Sequence, residues 1–405
     1  MNTDIIKYSV KNLYKRKSRS TLTILSIFIG IATIFIFISF GLGLYNYVNT
    51  LAGESGADKF IVMVKGAAAP GLDNTFKLED KDLDTVKKTK GVKEVAGFYI
   101  SAFQIESENE LKYVYGMAYS ATPQVTRLLM EVGQMKLDKG RDLKESDSRK
   151  VVLGYNYQLP NKIFEKPLSL GNKIIVNGQK FEIIGFFKAV GNPQDDSNVY
   201  MTKNDIKELF PNKTLSYAEF IGRVSNKDTI HAVVDDVKKN LRKERGQEEG
   251  KEDFFVQTFD DLIKQFQTAL NVVIGFVFLI ALISVIVSAV NTANTMVTSV
   301  LERTKEIGAM KAIGARNSTI RNIFLLESSI LGFVAGVLGV ILGAALSSLA
   351  GLALKTLGWG FLSPQFSWQL FAALVLFATV VGTLSGLTTA IQASLQNPVD
   401  SLRYE

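Results

Sequence analysis

The sequence predicts a membrane protein: an α-helical transmembrane domain of four helices, with a large extracytoplasmic mixed α/β domain inserted between helices 1 and 2. Three observations carry this reading. Apolar runs fill residues 21–45, 268–301, 322–354 and 366–395, and Glu327 is the one acid within them. Each run exceeds the roughly 20 apolar residues that a helix needs to cross a bilayer. The positive charge is concentrated beside these runs: residues 1–20 carry a net +5 and residues 302–322 a net +3, whereas residues 48–265 hold 33 bases and 33 acids. Short loops rich in Lys and Arg stay on the cytoplasmic side. Both termini and residues 302–322 are therefore expected inside, and residues 48–265 outside.

The first 20 residues predict a cytoplasmic amphipathic helix. Ile5, Ile6, Val10, Leu13 and Tyr14 fall near one face, with Lys7, Lys11 and Lys15 on another. A basic topology signal without fixed structure is the other reading. The apolar run Thr21–Tyr45 is about twice the 7–15 residues of a signal-peptide core, so it is read as a retained transmembrane helix 1 over 21–47.

The outer domain, residues 48–265, is expected to have split β-α-β flanks at about 58–120 and 215–260 around an inserted subdomain at about 121–214. Strands are predicted at Lys59–Val64, Val92–Ile105, Tyr217–Val224 and Phe254–Thr258. Helices are predicted at Asp80–Lys88, which Gly91 stops, and at Asp228–Lys243. Asn177-Gly178, between two apolar-rich runs, marks a hairpin. Residues 242–253 read as a solvated loop.

Transmembrane helix 2 is expected over 266–301. The run from Gln265 to Leu301 is uncharged and far longer than the ~30 Å membrane core requires. An outward stalk accounts for the excess, with Gln267 and Asn271 at its outer end. A cytoplasmic helix and loop follow at 302–321, then helix 3 at 322–354, an outer loop at 355–365, helix 4 at 366–395 and a cytoplasmic tail at 396–405. Ser363-Pro364 reads as the N-cap and first residue of helix 4. Trp359 and Trp368 flank it as interfacial aromatics.

Catalysis finds no support. The single histidine, His231, lies on an outer helix, and no phosphate-cradling G-x-x-x-x-G-K-[ST] motif occurs. With no cysteine, disulfides and thiolate ligands are excluded. The basic excess lies beside membrane helices, so a lipid bilayer is the expected partner and nucleic acid is not. Asp195-Asp196 reads as loop solvation. Glu327 is expensive inside a span, and two readings stand: snorkelling to the inner surface, or pairing with a base of the neighbouring loop.

Two sets of residues predict helix packing. In helix 2, Ser284, Ser288, Asn291, Thr295 and Thr298 share a stripe; in helix 3, Gly332, Gly336, Gly339 and Gly343 permit close backbone approach. Contact within the chain and contact between two copies both remain open. In the 302–315 segment, Gly308, Ala312 and Ala315 form a small-residue face, and the charges surround it. A glycine inside a helix costs about 1 kcal/mol relative to alanine, which predicts a close approach at Gly308.

Glu302-Arg-Thr-Lys-Glu-Ile-Gly-Ala-Met-Lys-Ala-Ile-Gly-Ala315, the tail Asn397-Pro-Val-Asp-Ser-Leu-Arg-Tyr-Glu405 and the basic Lys15-Arg-Lys-Ser-Arg-Ser-Thr-Leu-Thr23 closely resemble the MacB/FtsX-type permease family of ABC systems. Val151-Val-Leu-Gly154, Pro167-Leu-x-Leu-Gly171 and the Asn177-Gly178 hairpin are similar to the outer domain of MacB-like members. The resemblance implies a homodimeric, non-catalytic permease that transmits ATP-driven movement to its outer domain for export. It implies two copies of a separate ATPase subunit, which hold ATP and Mg themselves, and no cofactor in this chain. An extracytoplasmic adaptor protein is a further implied partner. The ATPase would dock on Glu302, Arg303, Lys305, Glu306, Ile307, Gly308, Lys311, Ala312, Gly314 and Ala315. An FtsX-like or lipoprotein-release-type relay is the alternative within the family, and an ATPase-independent scaffold the alternative outside it.

Overall fold

The computed structural model describes residues 17–65, 77–212 and 215–398, and the chain divides into two units. The amphipathic helix expected over 1–20 lies almost wholly outside the described residues, as does the tail beyond 398. In chain order the elements begin with helix α1 (Lys17–Ser55), strand β1 (Lys59–Val64), α2 (Asp80–Lys88), β2 (Val92–Ser107) and β3 (Glu110–Tyr119). There follow α3 (Pro123–Val132), β4 (Leu137–Gly140), β5 (Lys150–Leu153), β6 (Lys173–Val176), β7 (Gln179–Phe187), β8 (Val199–Thr202) and α4 (Lys203–Leu209). The chain continues through β9 (Glu219–Val224), α5 (Ile230–Glu244), β10 (Phe254–Thr258), α6 (Phe259–Leu301), α7 (Thr304–Ala312), α8 (Asn317–Thr356) and α9 (Trp368–Leu395).

Four of these helices, α1, α6, α8 and α9, are long and apolar enough to cross a membrane. The unit that contains most of their length has a core in which Ile27, Ile31, Ile34 and Phe35 of α1 meet Ala335 and Val340 of α8 and Leu370, Leu374 and Ala378 of α9. Glycines set the spacing. A Cβ placed on Gly332 would lie 2.5 Å from the Ala378 carbonyl oxygen, and one on Gly336 2.9 Å from the Ala378 Cβ. On Gly339 it would lie 2.9 Å from Ile31 Cβ, and on Gly343 2.8 Å from Phe35 Cβ. The third-span stripe is thus consumed within the chain, two glycines against α9 and two against α1.

The α6 stripe behaves differently. Only Ser288 turns inward, where its hydroxyl donates to the Ser26 carbonyl of α1 at 2.9 Å. The α6 residues that bury with it are Thr292, Met296, Ser299 and Val300. The hydroxyls of Ser284, Thr295 and Thr298 donate to their own helix at Ile280, Asn291 and Asn294. Helical drift explains the offset, because a repeat of four and three rotates slowly around the axis. Ser363-Pro364 does not start α9. Ser367 caps that helix by accepting from the Leu370 N–H, while Gln365 donates its N–H to the Ser39 carbonyl at 2.9 Å. The intervening residues serve α1 instead.

The other unit holds residues 45–268 and 354–361. Its centre is one ten-stranded sheet, ordered β10-β1-β9-β2-β3-β8-β5-β7-β4, with β6 beside β2 and β7. The β3/β8 and β5/β7 pairs are parallel and the rest antiparallel. Asn177 and Gly178 both adopt positive φ, 46° and 82°, and close the β6–β7 hairpin as the Asn-Gly pair predicts. Helices α2, α4 and α5 feed one core face through Val86, Ile206, Val233, Val237 and Leu241. Leu128 and Leu129 of α3 feed the opposite face. The sheet is therefore covered on both sides.

Two loop readings are corrected here. Within residues 242–253, Arg245 grips the fully buried Asp82 at 2.7 Å and Asp253 at 2.8 Å, and Glu252 is 5% exposed beside Arg242. Gly246 and residues 248–251 remain exposed, so the loop is solvated on one side and anchored on the other. Asp196 is likewise buried, and its carboxylate accepts the Val190 and Gly191 N–H groups at 2.7 and 3.0 Å. Beside this turn, residues 354–361 add to the unit through Lys162, which donates to the Thr356 carbonyl, and through Tyr47 against Phe361.

Candidate coupling site

Helix α6 ends at Leu301 and the short α7 begins three residues later, so the chain turns sharply at Glu302-Arg303. The sharp turn brings Arg303 inward. It is 3% exposed, and its Nη1 donates to Glu327 Oε1 of α8 at 2.8 Å. Its Nε reaches Glu306 Oε2 at 3.0 Å, and its guanidinium lies 5.2 Å from the centre of the Phe324 ring. Glu327 is 2% exposed. It does not snorkel: pairing with a loop base is the arrangement observed. A charge that is buried without its partner is costly, so this pair ties the turn after α6 to α8.

Beneath α7, Ile307 is fully buried with Val300, Ile320, Phe324, Ala390 and Ala393. The end of α7 is tied as well. Lys311 Nζ donates to the Gln396 carbonyl, which caps α9, and cations suit a helix C-terminus. Gly314 has φ +97°, and the Gly314 and Ala315 N–H groups return to the Lys311 and Met310 carbonyls at 3.0 Å. This is a Schellman stop that requires a left-handed residue. Short and pinned at both ends, α7 is tied to the ends of α6, α8 and α9.

The residues expected to dock a partner therefore separate. Arg303, Ile307 and Gly308 are buried against the chain's own helices and are not part of an outward surface. Glu302, Lys305, Glu306, Ala312 and Gly314 are exposed, and Lys311 and Ala315 are partly so. Sequence spacing did not reveal Ile313, a large apolar side chain that is 87% exposed at the tip of α7. Its signal was present, since it falls between the polar residues Lys311 and Arg316 on a helix otherwise read by its charges.

The FtsX-like permease C-terminal domain matches residues 278–398, a stretch that holds all of these contacts. The MacB-like periplasmic core domain matches residues 20–240. An ABC transporter permease of Methanocaldococcus jannaschii is 31% identical over 402 residues, covering 99% of this chain and 98% of its own. The chain belongs to the MacB/FtsX-type ABC transporter permeases. The permease YknZ of Bacillus subtilis is 25% identical over 410 residues, covering 99% and 98% of the two chains. MacB of Neisseria gonorrhoeae, a macrolide export ATP-binding/permease protein, is 27% identical over 416 residues. That match takes in 99% of this chain and 61% of MacB. In this MacB/FtsX-type permease, four apolar helices and a periplasmic-type domain make a multi-pass membrane protein.

Proposed function

We propose that this permease relays the closure of a separate cytoplasmic ATPase to its outer domain and so drives export. Two ATPase subunits, which bind ATP and Mg themselves, would act on a homodimer of this chain. Both termini and α7 would lie in the cytoplasm, as the basic excess at residues 1–20 and 302–322 favours. The observation that carries the reading is the build of α7. Its inner face is locked by Arg303–Glu327, Ile307 and Lys311, while Ile313 and the charged Lys305 and Glu306 face outward. An apolar anchor ringed by charge is how a protein partner is gripped, and force applied there reaches three spans. The names of the relatives, ABC transporter permease and macrolide export ATP-binding/permease protein, accord with export.

The test is copurification of an ABC ATPase with the full chain, together with its ATPase rate. Ile313→Glu and Ala312→Trp are expected to abolish both association and stimulation while membrane insertion stays intact. If both variants hold and stimulate the ATPase as the parent does, docking lies elsewhere and the reading fails.

A further inference from the structure

A groove of about 1140 Å³ in the outer unit lies between α3 and the segments 141–145 and 188–190. Its apolar part comes from Met130, Met135, Leu143 and Val190. Two of these are methionines, whose flexible thioethers fit varied side chains. Three of its residues hold buried polar atoms with no hydrogen-bond partner: Thr126 Oγ1, Gln134 Nε2 and Asp142 Oδ1. Thr126 is 9% exposed. Buried polar atoms without a protein partner are rare in folded proteins, and three of them lie along this one groove.

Gln134 adds a second sign. It follows α3 with φ +51°, where the Met135 N–H returns to the Met130 carbonyl at 2.9 Å. That left-handed position normally takes glycine, yet this chain places a long amide there at a cost in strain.

The orphans define a chemistry. Gln134 Nε2 needs an acceptor, an ionised Asp142 Oδ1 needs a donor, and a threonine hydroxyl takes either. A peptide group offers both within one unit. The rim charges complete the picture. Arg141 is held by Asp147 at 2.7 Å, and Arg127 by Glu94 at 3.4 Å. Lys136, Lys144 and Lys188 are exposed, and none is ion-paired among the described residues. Two exposed acids share the rim: Glu131, which is held by Lys59 and Arg223, and Glu145, which opposes the three lysines.

We propose that this groove binds a short acidic peptide, with a main-chain amide engaging Gln134, Asp142 and Thr126, carboxylates engaging Lys136, Lys144 and Lys188, and apolar side chains on the methionines. Export of some other cargo through the α7 relay leaves this site unaffected, so it stands apart from the ATPase reading.

The experiment uses the full chain in lipid nanodiscs and a fluorescent, N-acetylated, C-amidated Glu-Leu-Glu-Leu-Glu peptide, with Lys-Leu-Lys-Leu-Lys as its counterpart. The acidic peptide is expected to bind at least tenfold more tightly. The triple variant Lys136→Gln/Lys144→Gln/Lys188→Gln should weaken it at least tenfold. Gln134→Gly should weaken it several-fold while raising the melting temperature, a pair of changes that a purely structural Gln134 would not give. Equal binding of the two peptides, or parent-like binding by the triple variant, overturns the proposal. So does displacement by an alkyl sulfate as effective as by unlabelled peptide, which would assign the groove to anionic amphiphiles.

Discussion

Arg303 and Glu327 show why a charged residue within an apolar run must be traced to its partner. Neither alone is tolerable at 3% and 2% exposure, and together they replace water with a 2.8 Å charge-assisted bond. Glu327→Gln is expected to destabilise the permease by about 2–3 kcal/mol, because the buried guanidinium loses its buried carboxylate and keeps only the exposed Glu306. Arg303→Met/Glu327→Leu should regain most of that loss, since well-packed apolar pairs substitute for buried ion pairs. Thermal melts of the three proteins in detergent check this, and a double variant as weak as Glu327→Gln would refute it. A second carboxyl, Glu219, stands between Met63 and Phe98 on neighbouring strands, where burial pushes it up from 4.5 to about 7. The folded protein therefore keeps this proton to higher pH than the unfolded chain does. Stability is full below about pH 4.5 and is lost as pH rises to about 7, by about 2 kcal/mol after allowing for partial exposure. Glu219→Gln should remove that slope from the pH–stability curve. An unchanged slope would place the titration elsewhere.

At the scale of elements, legibility followed how local the determining interaction was. The helix Asp80–Lys88 and the strands Lys59–Val64 and Phe254–Thr258 were readable to the residue, because pattern and stop signal lie within each segment. The β2–β3 hairpin was not readable. Its turn uses Glu108 and Asn109 at φ 47° and 67°, and glutamate carries no turn signal. The N-cap of helix α9 was placed four residues early, at Ser363 in place of Ser367, because Gln365 is claimed by Ser39, a contact between segments more than 300 residues apart. The stripe of glycines in α8 was legible as close packing, while its partners were not. Those partners now give a graded prediction. Gly332→Ala should cost about 1–3 kcal/mol, because its Cβ would lie 2.5 Å from the backbone oxygen of Ala378, which has no rotamer to escape through. Gly30→Ala, with nothing within 4 Å of its Cβ, should be neutral or mildly stabilising. Melting temperatures in detergent decide it; equal shifts at the two sites would mean that the α8–α9 contact is looser than drawn.

At the scale of the whole molecule, one span is unlike the others. In its most apolar stretch α6 is 6% buried, against 28–39% for α1, α8 and α9. Lipid can cover the apolar part of that face without cost. It cannot satisfy Asn291 and Asn294, whose exposed side-chain amides project from the span where water is scarce. The hydroxyls of Thr295 and Thr298 bond back to the helix and so make no such demand. The glycine stripe of α8 is already filled by α1 and α9, so the face left for the second copy proposed above is that of α6. The absence of cysteine makes this directly testable. Asn291→Cys and Thr298→Cys, seven residues apart on one face, are expected to form disulfide-linked dimers in native membranes under mild oxidation. Ala335→Cys, fully buried inside the chain, should remain monomeric under the same conditions. Should Asn291→Cys stay monomeric while the permease still runs as a dimer in native gels, two copies would meet through another surface, and the asparagines of α6 would need a different partner.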